Sequence, residues 1–204
     1  MRARKKKHGA ERLAAVSDLF IDRPILDSDK KTYLEIGCGK GKFIIENAEK
    51  NPDINYIAVE KVSDVILLAA EKARDKGLTN VKFIICDAKG LAEMFEPHSV
   101  DLIYLNFSDP WPKAGHYKRR LTYKDFLSVY KTVLKEDGAV FFKTDNAGLF
   151  EFSLEQFTEN GWNIKNITYD LHNSEFANDN IMTEYEKNFS EKGFNIHRLE
   201  AWVK

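Results

Sequence analysis

Glu35-Ile36-Gly37-Cys38-Gly39-Lys40-Gly41 stands between a β-rich run at residues 32–36 and a run of helical character at about 42–50. A glycine loop gains meaning only in that strand–loop–helix setting. Gly37 and Gly39 let backbone approach a ligand, and the following helix N-terminus offers unpaired N–H groups. The spacing is G-x-G-x-G, whereas dinucleotide sites carry G-x-G-x-x-G.

Outward from this loop the chain keeps alternating. Further strands are predicted at 56–60, 81–86, 102–106 and 139–143, and two closing strands at 162–169 and 197–203. Helices are predicted at 63–76, with Ser63 as N-cap and Gly77 closing it, and at 123–135, ended by Gly138. Phe126, Tyr130, Val133 and Leu134 carry the helical period of the second. Another spans about 149–160 and stops at Gly161. The expected fold is α/β, a mostly parallel seven-stranded sheet with helices on both faces. Residues 13–204 form a single domain behind a flexible basic arm at 1–12. Residues 170–193 make a connection longer than a hairpin requires, and such loops are usually functional or disordered.

Acidic residues follow successive strands: Glu35, Glu60, Asp87 and Asp109. Singly, each reads as a turn residue or helix cap. Together they fall where parallel sheets bind ligands. Glu60 is placed for ribose hydroxyls and Asp87 for an adenine edge. An acidic rim lacks donors for a pyrophosphate and suits a cationic ligand such as S-adenosylmethionine.

Composition is ordinary for 204 residues, with 43% hydrophobic and 31% charged, which excludes low-complexity and disordered classes. No apolar run approaches the ~20 residues needed to cross a bilayer. The basic start at Arg2, Arg4 and Lys5 to Lys7 has no apolar segment behind it and is not read as a secretory signal. Cys38 and Cys86 form no disulfide or zinc pattern, which fits a reducing cytoplasm. No metal site is expected. The net charge of −1 conceals two basic clusters, one at 2–12 and one at 113–124, each able to meet a polyanion.

The second cluster contains Ser108-Asp109-Pro110-Trp111-Pro112-Lys113-Ala114-Gly115-His116-Tyr117-Lys118-Arg119-Arg120. Proline biases the preceding residue toward extended backbone, so Asp109 and Trp111 are expected to be extended in a stiff loop. An indole can stack on a base, and guanidinium groups can take phosphates. The plainer reading is a proline-rich turn followed by solvated charges.

The chain resembles the bacterial tRNA (guanine-N7)-methyltransferases, which modify guanine 46 in the variable loop. The resemblance rests on E-I-G-C-G-K-G, S-D-P-W-P-K with K-R-R-L, F-K-T-D-N at 142–146 and T-E-Y-E at 183–186, in this order. It implies a class I, Rossmann-like methyltransferase fold using S-adenosylmethionine. Glu35, Gly37, Gly39, Gly41, Glu60, Asp87 and Asp109 match cofactor positions, and Asp109 also matches the catalytic one. Lys113, Asp145, Thr183, Glu184, Tyr185 and Glu186 match substrate positions. The RNA-binding stretch maps onto Gly115, His116, Tyr117, Lys118, Arg119 and Arg120, but Ala114-Gly115 stands where two basic residues are expected.

Guanine N7 has a lone pair and no proton, so no general base is required, and a carboxylate at Asp109 would stabilise developing charge. Asp145 and Glu186 are the candidates to read the guanine edge. T-E-Y-E is also a capping-box pattern. The rival readings are a methyltransferase for another RNA or a small molecule, and a non-catalytic RNA-binding module. The expected partner is tRNA, without membrane attachment, and the assembly is a monomer or a homodimer.

Overall fold

The protein is described by a computed structural model covering residues 9–24 and 29–203. Seven strands form one sheet in the order β3-β2-β1-β4-β5-β7-β6. They are β1 (Thr32–Ile36), β2 (Asn55–Glu60), β3 (Val81–Ile85), β4 (Val100–Asn106), β5 (Leu134–Thr144), β6 (Asn163–Thr168) and β7 (His197–Trp202). The first five run parallel, and β7 is antiparallel to both β5 and β6.

Alternation along the strands sorts the core into two layers. Ile57, Val59, Ile103, Leu105, Val140 and Phe142 point to one face, beneath α4 (Leu91–Met94), α5 (Lys124–Val133) and α6 (Ala147–Glu159). Tyr56, Ala58, Val81 and Phe83 point to the other, beneath α1 (Gly9–Ala15), α2 (Lys42–Lys50) and α3 (Ser63–Asp75). A short α7 (Glu184–Ser190) completes the chain before β7.

β1 has β2 on one side and β4 on the other, and the chain leaves them in opposite directions. That is the switch point of a doubly wound sheet, where loops diverge and leave a crevice. Glu35 to Gly41 and Phe107 to Trp111 form its two lips.

Three local expectations are corrected. α5 ends at Val133, because Leu134 already adopts extended backbone and opens β5. Gly138 therefore lies inside the strand, in a bulge between the Val100–Leu134 and Leu102–Ala139 pairs. Ser63 is the first helical residue of α3; its N-cap is Val62, whose N–H donates to Glu60 Oε1. α1 starts at Gly9, inside the stretch expected as an arm, and Arg12 pairs with Glu71 of α3. The arm's Arg2 to Lys7 lies outside the described residues.

Gly41 is the glycine that the packing demands. Its φ is +80°, and a Cβ there would sit 2.4 Å from Ala69 Cβ in α3. Positive φ on a non-glycine residue plus overpacking predicts that Gly41→Ala loses roughly 2–5 kcal/mol of stability. Urea unfolding checks this; an unchanged midpoint would show that α2 and α3 separate freely.

Candidate active site

The crevice contains two chambers that share Gly37, Asn106 and Phe107. One, of about 470 Å³, is lined by Glu60, Asp87, Ser108, Asp109, Trp111 and Arg119. The other, of about 400 Å³, is lined by Glu35, the glycine loop, Thr183, Glu184 and Tyr185. Gly37 and Gly39 both have positive φ, and open space lies where their Cβ atoms would stand. A ligand can therefore approach this backbone closely.

At the chamber floor three buried polar atoms lack a protein partner: Glu35 Oε2, Asn106 Oδ1 and Ser108 Oγ. Asn106 Nδ2 donates to Glu35 Oε1 at 2.9 Å, tying the ends of β4 and β1 together. Burial pushes the Glu35 carboxyl up to about 7, against the opposing pull of Asn106, Lys143 and the Ile44 amide. Unpaired buried polar atoms cost free energy, so the cluster fits a polar ligand with both donors and acceptors. An amino-acid moiety such as that of S-adenosylmethionine carries both. Asn106 escaped the sequence reading, although a polar residue closing an apolar strand was its visible signal.

The remaining acids have double roles. Glu60 Oε1 accepts from Val62 N–H, and Asp87 Oδ1 accepts from Lys89 N–H. Both still line the larger chamber, as does the exposed Asp109. Turn residue and ligand contact are thus compatible at these positions.

The proline loop departs from expectation. Trp111 has φ +41°, in the left-handed region, although Pro112 follows it. Arg120 imposes this geometry: Nε donates to Pro110 O at 2.9 Å and Nη2 to Trp111 O at 3.3 Å. Its guanidinium also lies over Phe152, 4.4 Å from the ring centre, so Arg120 is spent on the loop and is not a free phosphate clamp. Arg119 lies 4.9 Å over the Trp111 ring and His116 meets its edge. Ala114–Arg119 forms 3₁₀ turns that leave Lys118 and Tyr117 exposed, with Lys113 exposed just before them.

The connection at 170–193 is ordered by one buried carboxylate. Thr183 caps α7 and forms a capping box with Glu186. Glu186 is fully buried, and Lys143 Nζ donates to its Oε2 at 2.8 Å. Asn180 Nδ2 and His172 Nε2 lie 2.6 and 2.9 Å from Oε1. Burial pushes the Glu186 carboxyl up, but Lys143, His172 and Asn180 outweigh it and hold the carboxyl below its ordinary value. Burial pulls the Lys143 ammonium down, with Glu186 opposing. In this arrangement the acceptors of Glu186 are not presented to a guanine.

The neighbouring residues are engaged as well. Glu184 bonds Lys72 at 2.9 Å and meets Lys40 at 3.5 Å, which holds its carboxyl low and pins α7 to the glycine loop. Tyr185 donates to Asp145 Oδ2 at 3.4 Å. Lys143, His172 and Asn180 were missed from sequence. A lysine inside the apolar run Val140 to Lys143 was the available signal, since a buried cation needs a counter-charge.

Among the described residues no group of three or more His, Cys, Asp and Glu side chains could hold a metal ion. No helix among them is long and apolar enough to cross a membrane.

The chain has relatives among known proteins. Residues 29–199 match the family model described as "Putative methyltransferase". The tRNA (guanine-N(7)-)-methyltransferase of Brevibacillus brevis is 48% identical over 95% of this chain and 94% of its own length. That of Lachnoclostridium phytofermentans is 51% identical over 87% and 83%. Among solved structures, the 16S rRNA methyltransferase KamB superposes with a TM-score of 0.64 at 16% identity, over 100% of this chain and 96% of that one. That last likeness concerns the fold, which is the class I S-adenosylmethionine-dependent methyltransferase fold.

Two predictions arise here. Removing one partner of a buried ion pair typically costs about 3–5 kcal/mol, so Glu186→Ala should lower stability by that order and expose 170–193 to protease. Retained stability with only a substrate-binding loss would return Glu186 to the role of base reader. The second concerns Glu35, whose folded value of about 7 lies above the ordinary 4.5. Stability from this group is complete below pH 4.5, falls as pH rises toward about 7, and is level above. Glu35→Gln should abolish that loss, on the order of 3 kcal/mol, in urea titrations of the ligand-free protein. A pH dependence shared by both proteins would assign it elsewhere.

Proposed function

We propose that this chain, which belongs to the tRNA (guanine-N7)-methyltransferase family, methylates N7 of guanine 46 in the variable loop of tRNA. The activity class follows from membership: the protein is an S-adenosylmethionine-dependent tRNA (guanine-N7)-methyltransferase. The choice of guanine 46, the assignment of individual residues and action in the cytoplasm are the finer parts of the reading. The cytoplasmic assignment agrees with the free thiols of Cys38 and Cys86.

The observation that carries the residue assignment is the polar floor at Glu35, Asn106 and Ser108, lying beside the exposed Asp109 carboxylate. Glu35, Gly37 and Gly39 are assigned to the methionine end of the cofactor, and Glu60 and Asp87 to its ribose and base. Gly41 is assigned to packing the loop rather than to direct contact. When bound, S-adenosylmethionine supplies a methyl group made electrophilic by its sulfonium. Guanine N7 brings a lone pair and no proton, so no side chain must act as base at that atom. The chain's task is to align the base and to face its developing positive charge with a negative one.

Asp109 is assigned that electrostatic role. Asp145, half-buried and held by Tyr185, is assigned to accept from the guanine N1–H and exocyclic amine. An adenine offers no donor at its N1 position and would leave that acceptor unpaired. Lys113 and Lys118 are the exposed cations of the proline segment assigned to phosphates, with Arg119 at the chamber wall.

The test is single-turnover methylation of a tRNA transcript by parent protein and Asp109→Asn, with the modified base mapped by cleavage at 7-methylguanine. Loss of charge with retained shape should slow transfer by about 10²–10⁴ while tRNA binding stays near the parent's. An Asp109→Asn rate equal to the parent's would refute the electrostatic role, and cleavage at another guanine would refute the positional one.

A further inference from the structure

Four aromatic rings form a series of pairwise contacts from the crevice to the connection between α7 and β7. Phe107 and Tyr185 line the smaller chamber, with ring centres 5.1 Å apart. Tyr185 stacks on Phe189 at 4.1 Å with planes 16° apart, one helical turn along α7. Phe194 follows at 5.5 Å from Phe189. The rings are not a buried core: Tyr185 is 43% and Phe194 52% exposed. Lys192 holds its ammonium 5.0 Å over Phe189.

Exposed aromatic rings in a continuous row mark a surface that is covered in use. The occupant follows from continuity with the site, because the row begins at the chamber assigned to the methionine end of the cofactor and Tyr185 holds Asp145, the residue assigned to the guanine edge. An enzyme acting on a base within folded RNA must take that base out of its stack, which leaves its neighbours with uncovered faces. Aromatic side chains supply such faces with a partner, and nearby cations meet the phosphates between them. We propose that Phe194, backed by the Tyr185–Phe189 stack, presents a stacking face to a nucleotide flanking the methylated guanine. This rests on the functional reading above and extends it to Phe194, beyond the positions assigned to substrate.

The platform also accounts for the buried latch beneath it. Glu186 is the buried residue of α7, while Tyr185, its neighbour in sequence, is exposed and stacks on Phe189. The ion pair to Lys143 thereby fixes the angle at which the ladder meets the crevice.

The experiment uses a full-length tRNA transcript with 2-aminopurine replacing one nucleotide beside the methylated guanine. Parent protein should methylate the transcript and quench its fluorescence, as stacking does. Phe194→Leu keeps apolar bulk and loses the π face, so quenching should disappear and KM for tRNA rise roughly 5- to 150-fold. Phe194→Trp should restore both, and calorimetry should show parental S-adenosylmethionine affinity in each variant. Parental KM and quenching in Phe194→Leu would overturn the platform alone. So would a changed oligomeric state with tRNA binding intact, which would make the row a contact between copies. A parent protein that leaves the transcript unmethylated would overturn the functional reading and the platform with it.

Discussion

The adjacency of two parallel strands, β1 and β4, is the constraint from which the site follows. Their connections depart to opposite faces of the sheet, so no backbone covers the ends, and polar groups there lose water without gaining a ladder partner. The chain places Glu35 and Asn106 at those ends and bonds them to each other, leaving one oxygen of each unpaired. Such an arrangement is costly in the isolated fold. A ligand that supplies the missing donors and acceptors offsets that cost. The raised Glu35 carboxyl is the electrostatic signature of that cost.

A second buried group decides what stands opposite this floor. Lys143 occupies the end of β5 within an apolar layer, and Glu186 comes from the connection beyond β6. Desolvating both charges is expensive, and a buried pair seldom adds net stability compared with apolar packing. What it adds is a unique geometry. Asn180, His172 and the Ile181 carbonyl must all be in place for the charges to be satisfied. A long connection without regular structure over much of its length is thereby seated on the sheet, and α7 is carried to the edge of the glycine loop. Glu184 completes the attachment through Lys72 and Lys40.

The proline loop shows the same division between charges that build and charges that bind. Arg120 donates to two carbonyls of the loop and holds Trp111 at a backbone angle that costs on the order of 1–3 kcal/mol. Its neighbour Arg119 covers the indole face, while Lys118 stays exposed. One run of three cations thus performs three tasks. A Lys at position 120 would lose the two separated nitrogens with which the guanidinium reaches the Pro110 and Trp111 carbonyls.

The α/β alternation, the glycine loop and the acids at the strand ends were legible in the amino-acid sequence. Strand and helix periods are local, and so are the capping box of Thr183 and the stop at Gly161. Even there the reading slipped where tertiary pairing outranked propensity, as when β5 began at Leu134 and Gly138 became part of a bulge. Proline's bias on Trp111 was likewise overruled by hydrogen bonds from a residue nine positions away. Only the fold could decide that Glu186 answers Lys143, 43 residues distant, and so is withdrawn from solvent. Only the fold could align Phe107 with Tyr185 and Phe189. Residue type and spacing determine what a side chain can do, because those properties are carried by neighbours along the chain. Which partner it meets depends on closing long loops, and that choice is made by the packing of the whole sheet and its helices.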